Sequence, residues 1–442
     1  MDWASSLGLL LGLLVFFMAI GLPVAFAFLG VNIIGAVLFL GGEVGLGQLL
    51  RNAAASLTNF SLAPIPLFLL MGEILFHSGL AFRAIDATNR LIARVPGRLS
   101  VVSVAGGTIF STLSGSSLAN TAMLGSTLLP DMLKRGYHPS IAMGPIMATG
   151  GIAMLIPPSA LAVLLGSLAG ISISQLLIAG IVPGLMMSAA FLTYIIVRCS
   201  LNPRLAPAGD DGLMRLGLWE RVWPFLVYVV PLFGIFVAVV GSMLAGWATP
   251  TEAAAIGCAA SVIAAACYRS LSVKALATAL METTKISVMI LFIIVASITF
   301  SQILSFSGAT RGLLALIEGA GLTPLTVLLF MLVVLLFLGA FMDQISMIMV
   351  TLPFFVPLAN LVGIDLLWLG VMMLICMEIS FMTPPFGLLI FVMKGVAPAH
   401  ITLRQVYVAA GPFILLQILV LALILAYPGL ATWLPELAAG IR

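Results

Sequence analysis

Two distant stretches, GGIAMLIPPSALAVLLGS (Gly150 to Ser167) and MEISFMTPPFGLLIFVMKG (Met377 to Gly395), each put a Pro-Pro pair inside an apolar run long enough to cross a bilayer. A proline within a helix removes one hydrogen bond and collides with the preceding turn, so a doublet at that depth frees backbone carbonyls. Such breaks persist only where something polar is bound. Paired interruptions at corresponding places in two halves point to the binding site of a secondary transporter. Pro157, Pro158, Pro384 and Pro385 are therefore the first markers of a site.

Composition supports a membrane setting. Of 442 residues 62% are hydrophobic and only 7% charged, against roughly 25% charged in a soluble domain. The net charge of +3 is too small to suggest nucleic-acid binding. The first apolar run begins at Leu7 with only Asp2 charged before it, whereas a secretory signal starts with basic residues, so this run is read as a retained span. The four cysteines have no metal-binding or redox spacing and read as packing residues.

A helix needs about 20 apolar residues to cross the hydrocarbon. Ten spans are expected, at 6–21, 24–41, 62–80, 140–168, 175–197, 222–241, 251–268, 286–305, 366–393 and 405–426. The stretches 99–133 and 324–359 are too long for one span and are interrupted by small or polar residues. Both read as helical hairpins that enter the membrane and turn back. The expectation is an all-α polytopic membrane protein of about ten transmembrane helices plus two re-entrant hairpins.

Basic residues set the orientation. Arg83, Arg90, Arg94 and Arg98 precede the first hairpin, and Lys134 and Arg135 follow it, which puts both its ends in the cytoplasm. Alternating spans then leave Arg51, Arg311 and Arg442 as the only outward basic residues, with both termini outside. Span, hairpin, broken helix and span occur at 62–197 and again at 286–426 with opposite topology, which is an inverted repeat. Echoes support it: Leu129-Pro130 with Leu352-Pro353, Pro157-Pro158 with Pro384-Pro385, Gln175 with Gln405, Pro183 with Pro412 and Asn120 with Asp343. Residues 1–61 read as N-terminal scaffold, 198–285 as cytoplasmic linker and further scaffold, and 427–442 as a periplasmic tail.

The first hairpin turns at SGSSLANTA, Ser114 to Ala122, where small residues permit close helix approach and hydroxyls and free carbonyls can replace a cation's water shell. Tight packing alone is the competing reading. The second turns at LGAFMDQIS, where Asp343 is a carboxylate in an apolar stretch, by default an ion or proton path or else a helix cap. Glu378 lies one to two turns before the second Pro-Pro pair and is expected to line the same cavity. Glu73 reads as structural, bonded to small neighbours or to His77. No Lys or Arg lies in the central part of any span, so an anionic substrate must be held by half-helix N-termini, neutral polar groups and co-bound cations, which favours Na⁺ as coupling ion. No GxxxxGK[ST] motif provides for ATP hydrolysis, and neither HExxH nor GxSxG is present, so the chain reads as no enzyme.

The chain resembles the large membrane subunit of the tripartite ATP-independent periplasmic (TRAP) transporters along essentially its whole length. The resemblance rests on PIPLFLLMGEIL (Pro64 to Leu75), SGSS with LGSTLLPDMLKRGY (Leu124 to Tyr137), IPPS with AGISISQLLIAGIVPGL (Ala169 to Leu185), WATPTEAAAIG (Trp247 to Gly257), LGAFMDQISMIMVTLPFFVPLA (Leu338 to Ala359) and TPPFGLLIF (Thr383 to Phe391). It implies an elevator carrier in the bacterial inner membrane, with hairpins and broken helices forming a mobile domain against a scaffold. It implies two Na⁺ sites: Ser114, Gly115, Ser116 and Ser117 with Gly150, Gly151, Pro157 and Pro158, and Gly339 and Asp343 with the Thr383-Pro384 break. It also implies two partners that this chain does not encode, a small four-helix membrane subunit and a periplasmic substrate-binding protein. Glu378 and Phe381 stand where the family is often glycine-rich.

The reading is Na⁺-coupled import of an organic acid, with dicarboxylates, sugar acids, keto acids and sulfonates all compatible. A self-sufficient Na⁺- or H⁺-coupled anion symporter is the alternative. A channel needs no coupling, an intramembrane enzyme needs a catalytic pair that is not visible, and a pure scaffold leaves Asp343 and the two breaks unexplained.

Overall fold

The computed structural model describes residues 2–92, 95–114, 116–207, 217–385 and 387–440. Gly115, Arg94, the stretch 208–216 with Asp210, Asp211 and Arg215, Phe386 and Arg442 lie outside them, as does the side chain of Ser114. Every regular element among the described residues is helical.

Seven helices among the described residues are long and apolar enough to cross a membrane. This count is below the ten expected spans for a simple reason. Trp3–Ala19 and Val24–Phe39 fall just short in length, and each broken helix is divided into two shorter pieces, which removes four of the ten; Gln344–Val362, in the second hairpin stretch, is added.

One order of elements occurs twice. It runs first as Pro64–His77, Leu80–Leu91, a hairpin of Arg98–Ser114 and Ser117–Thr127, a broken helix of Pro139–Ile152 and Ala160–Ala169, then Ile173–Ala179 leading into Ile181–Leu201. It runs again as Val273–Phe306, Ala309–Gly319, a hairpin of Pro324–Gly339 and Gln344–Val362, a broken helix of Leu366–Met382 and Leu388–Val396, then Leu403–Ala426. The second member of each series was not expected from hydropathy. Leu80–Leu91 and Ala309–Gly319 are short amphipathic helices, apolar on one side only, so neither reads as a span. Each follows a left-handed glycine, Gly79 (φ 73°) or Gly308 (φ 75°), which turns the chain at once out of the preceding helix. Glu43–Leu57 and Gly429–Gly440 are also helices, the latter packed on Ile173–Ala179 where a plain tail was expected.

The Gln175 and Gln405 echo has a local cause. Thr402 caps Leu403–Ala426 in a reciprocal box with Gln405, and Ser172 accepts from the Gln175 N–H at the start of Ile173–Ala179. The Leu-Pro echo is looser. The chain breaks at Leu128 before Leu129–Lys134, whereas Gln344–Val362 continues through Pro353 and Pro357.

Val273–Phe306 has 34 residues, about 51 Å at 1.5 Å per residue, and packs along Val24–Phe39, Glu43–Leu57 and Pro64–His77. Buried amides tie it in place: Asn32 donates to Ala296 O, and Asn52 donates to Gln302 Oε1 at 2.7 Å and to Thr299 Oγ1 at 3.3 Å. In apolar surroundings such bonds fix the register of one helix on the next. Most of the hairpin and broken-helix segments and Leu403–Ala426 pack chiefly on one another, whereas Arg98–Ser114 and Ala160–Ala169 also pack on Pro64–His77. Pro139–Ile152 is central among them and contacts both arms of the first hairpin, Leu366–Met382 and Leu403–Ala426.

Gly144 sets its distance from Leu403–Ala426, because a Cβ there would lie 2.5 Å from Ala409 O and collide with Phe413. Gly144→Val is therefore expected to cost about 1–3 kcal/mol by overpacking and to lower the thermal unfolding midpoint of the purified protein. Gly411→Ala, whose Cβ meets open space, serves as the control and should leave that midpoint unchanged.

Candidate functional site

The first hairpin tip is built from short polar side chains on three helix segments. Ser116 caps Ser117–Thr127 and accepts from the Ala119 N–H at 3.3 Å. One turn on, the fully buried Asn120 donates to Ser111 Oγ, to Thr149 O at 3.3 Å and to Gly107 O at 3.5 Å. Two of those acceptors are carbonyls, so the amide nitrogen must face them and the amide oxygen must face away. That oxygen and the buried Thr121 hydroxyl have no hydrogen-bond partner.

Gly150 brings the first broken helix against this tip. A Cβ on it would collide with Thr121 Oγ1 and lie 2.9 Å from Ser117 O. Only glycine allows this approach. Ser111 also donates to Thr149 O at 2.9 Å, so one carbonyl at the helix end accepts from both arms of the hairpin. Pro157 and Pro158 follow in the break, both buried, and Ser159 caps the next piece by accepting from the Ala162 N–H at 3.2 Å. Ser117, Asn120, Gly150 and the break are thus brought together. Ser111, Thr121 and Thr149 complete the cluster and were missed, because isolated hydroxyls in apolar runs give no spacing signal.

The second tip repeats the plan with one difference. Asp343 caps Gln344–Val362, accepting from the Ser346 N–H at 3.1 Å and from the Ser346 hydroxyl. The capping alternative considered for this carboxylate is thus its observed local role. By cap position Asp343 corresponds to Ser116, not to Asn120 as the aligned repeats suggest. Gly339 lies against Ser380, with no room for a Cβ. Thr383 donates to Ile379 O at 2.7 Å, and Tyr407 donates to Pro385 O at 3.0 Å. Pro384 and Pro385 are exposed while the first pair is buried, so the two breaks differ in access. Both Pro-Pro bonds are cis.

Glu378 departs from its expected place beside the second break. Ser380 faces the second hairpin, and Glu378 is two residues earlier, about 200° around the helix. It points to Gly151: a Cβ there would lie 3.5 Å from its Cδ and 3.4 Å from Gln417 Nε2. Gln417, a lone amide inside an apolar span, is a second residue that sequence reasoning passed over. Met154 lies at the same point, with its sulfur 2.8 Å from Gln344 Nε2, so the first break touches the residue after Asp343. Glu73 pairs with His77 at 3.2 Å, as expected of a structural carboxylate. No cluster of His, Cys, Asp or Glu suited to a transition metal occurs among the described residues.

The geometry brings neutral side-chain oxygens and one carboxylate together at helix ends inside an apolar bundle. Comparison with known proteins agrees with a transporter. The family model described as "Tripartite ATP-independent periplasmic transporter, DctM component" matches residues 11–430. The chain is 32% identical to the C4-dicarboxylate TRAP transporter large permease protein DctM of Pseudomonas aeruginosa, over 86% of this chain and 87% of that one. It is 32% identical to the 2,3-diketo-L-gulonate TRAP transporter large permease protein YiaN of Escherichia coli, covering 88% and 89%. It is 29% identical to the sialic acid TRAP transporter large permease protein SiaM of Vibrio cholerae, covering 95% and 96%. Among solved structures, the Alcanivorax borkumensis YdaH transporter shares the fold, with a TM-score of 0.61 at 15% identity over 88% of this chain and 90% of that one. The chain is a multi-pass membrane protein and belongs to the tripartite ATP-independent periplasmic transporter family as its large permease, or DctM, component.

Proposed function

We propose that this permease imports an organic acid by coupling to inward Na⁺ movement, in an elevator motion of the hairpin bundle against the remaining helices. The observation that carries the reading is the first tip. Asn120 Oδ1 and Thr121 Oγ1 are buried oxygens without partners, beside a glycine that keeps the helix break in reach. Buried polar atoms in native proteins are nearly always satisfied, so orphaned oxygens here call for a ligand. A hard monovalent cation suits an all-oxygen set of this kind. Ser114, Gly115, Ser116 and Ser117 with Asn120, Thr121, Gly150, Pro157 and Pro158 form the first Na⁺ site in this proposal, while Gly151 faces away from it, toward Glu378 and Gln417. Gly339, Asp343, Thr383 and Pro384 form the second.

The substrate is a small organic anion, a class supported by the C4-dicarboxylate, diketogulonate and sialic acid named for relatives. Its charge is balanced by the co-bound cations, because no basic residue lies within the described tips and breaks. A small four-helix membrane subunit and a periplasmic binding protein complete the transporter in the bacterial inner membrane. The distribution of basic residues supports both termini on the periplasmic side, and the inverted repeat supports a division at 1–61, 62–197, 198–285, 286–426 and 427–442. Gradient-driven transport of this kind uses no ATP.

Proteoliposomes holding this chain and its small partner should take up a labelled organic acid only with an inward Na⁺ gradient and the binding protein. Uptake without the soluble protein would instead identify a self-sufficient symporter. At the second site, Asp343→Asn keeps a capping oxygen but removes the charge, so it should raise the Na⁺ concentration for half-maximal uptake while the complex stays folded. Asp343→Ala should in addition lose the cap and about 1 kcal/mol of stability. An unchanged Na⁺ dependence in both variants removes Asp343 from the ion site.

A further inference from the structure

Glu378 and Gln417 form a buried polar pair on a different face of Pro139–Ile152 from the first tip. Each is completely buried, and neither the two carboxyl oxygens nor either amide atom has a hydrogen-bond partner. They come from different helices, Leu366–Met382 and Leu403–Ala426, and converge on Gly151 at the end of Pro139–Ile152. The absent Cβ of Gly151 is what leaves space between them. The Met154 N–H is directed at the carboxyl but is already bonded to Gly151 O at 3.2 Å.

A carboxylate buried without a counter-charge costs several kcal/mol. None of the charged groups on the surrounding helices compensates Glu378. Lys394 donates to Ile401 O, Arg404 is exposed at the start of its helix, and Glu436 is exposed. Asp343 and Asp365 are occupied as helix caps, through Ser346 and the Trp368 N–H respectively. Cys376 and Tyr407 are the remaining titratable groups on these helices, and Tyr407 is bonded to Pro385 O.

We propose that Glu378 and Gln417 bind a third monovalent cation, Na⁺, at Gly151. Two carboxylate oxygens and the amide oxygen of Gln417, which a half-turn of the amide brings to the same point, supply hard oxygen ligands. One positive charge neutralises the single carboxylate, whereas a divalent ion would leave a net charge in an apolar core. Because the three contributing helices include both broken helices, a cation there ties the two breaks together independently of the tips. The proposal rests on the Na⁺-coupled reading above.

The test uses this chain in complex with its small membrane partner, as wild type, Glu378→Gln and Gln417→Leu. Two quantities are measured: Na⁺-dependent thermal stabilisation against choline, and the ²²Na⁺ to substrate flux ratio in proteoliposomes. Glu378→Gln is nearly isosteric and is expected to fold. It should lower the flux ratio by about one Na⁺ and weaken the Na⁺ dependence of stabilisation about tenfold, the effect of some 1.4 kcal/mol. Gln417→Leu should shift stabilisation in the same direction. Unchanged Na⁺ stabilisation and flux ratio in both variants overturn the third site, as does a flattened pH profile with an unchanged Na⁺ ratio, which marks Glu378 as a proton carrier. A wild type with no Na⁺ dependence at all would instead sink the coupling reading itself.

Discussion

The end of Pro139–Ile152 is the point on which the rest of the architecture depends. A helix that stops inside an apolar bundle leaves its last carbonyls without donors, and in the absence of water the donors must come from neighbouring helices. Thr149 O accepts from Ser111 and Asn120 of the first hairpin, while the Met154 N–H turns to Gly151 O. The break is stable because the hairpin is there, and the hairpin is oriented by the break. Gly150 makes this possible by admitting Thr121, while the next residue, Gly151, faces Glu378 and Gln417.

The same end links the two series of elements. Leu389, just inside the second half of the second broken helix, lies beside Gly150, and Gly125 of the first hairpin meets Val396 of that same half-helix. Gln344 reaches Met154 from the second hairpin. Each break is thus braced by parts of the other series. Outside it, Val273–Phe306 is tied by Asn32 and Asn52 to the N-terminal helices.

Much of this was legible from local chemistry. Pro-Pro pairs in apolar runs mark helix breaks because proline lacks a donor, and both breaks occur where those pairs stand. The hairpin turns follow from small and polar residues interrupting long apolar stretches. Hydropathy failed for Leu80–Leu91 and Ala309–Gly319, since a helix apolar on one side only does not resemble a span. It failed also for Gly429–Gly440, whose 12 residues are too few to span a membrane and so give no sign of the surface they pack on.

Sequence by itself determined the membrane class, the two breaks, the two turns and the family, because each rests on local backbone chemistry or on motifs within a few residues. Tertiary structure alone decided which residues meet. Direction on a helix turns by about 100° per residue, so Ser380 and Glu378, only two positions apart, face different partners, the second hairpin and Gly151 with Gln417. The correspondence of Asp343 with Ser116 was likewise invisible until both were seen as caps. The orphaned oxygens of Asn120, Thr121, Glu378 and Gln417 exist only in the packed protein, because whether a polar atom has a partner depends on helices far away in the chain.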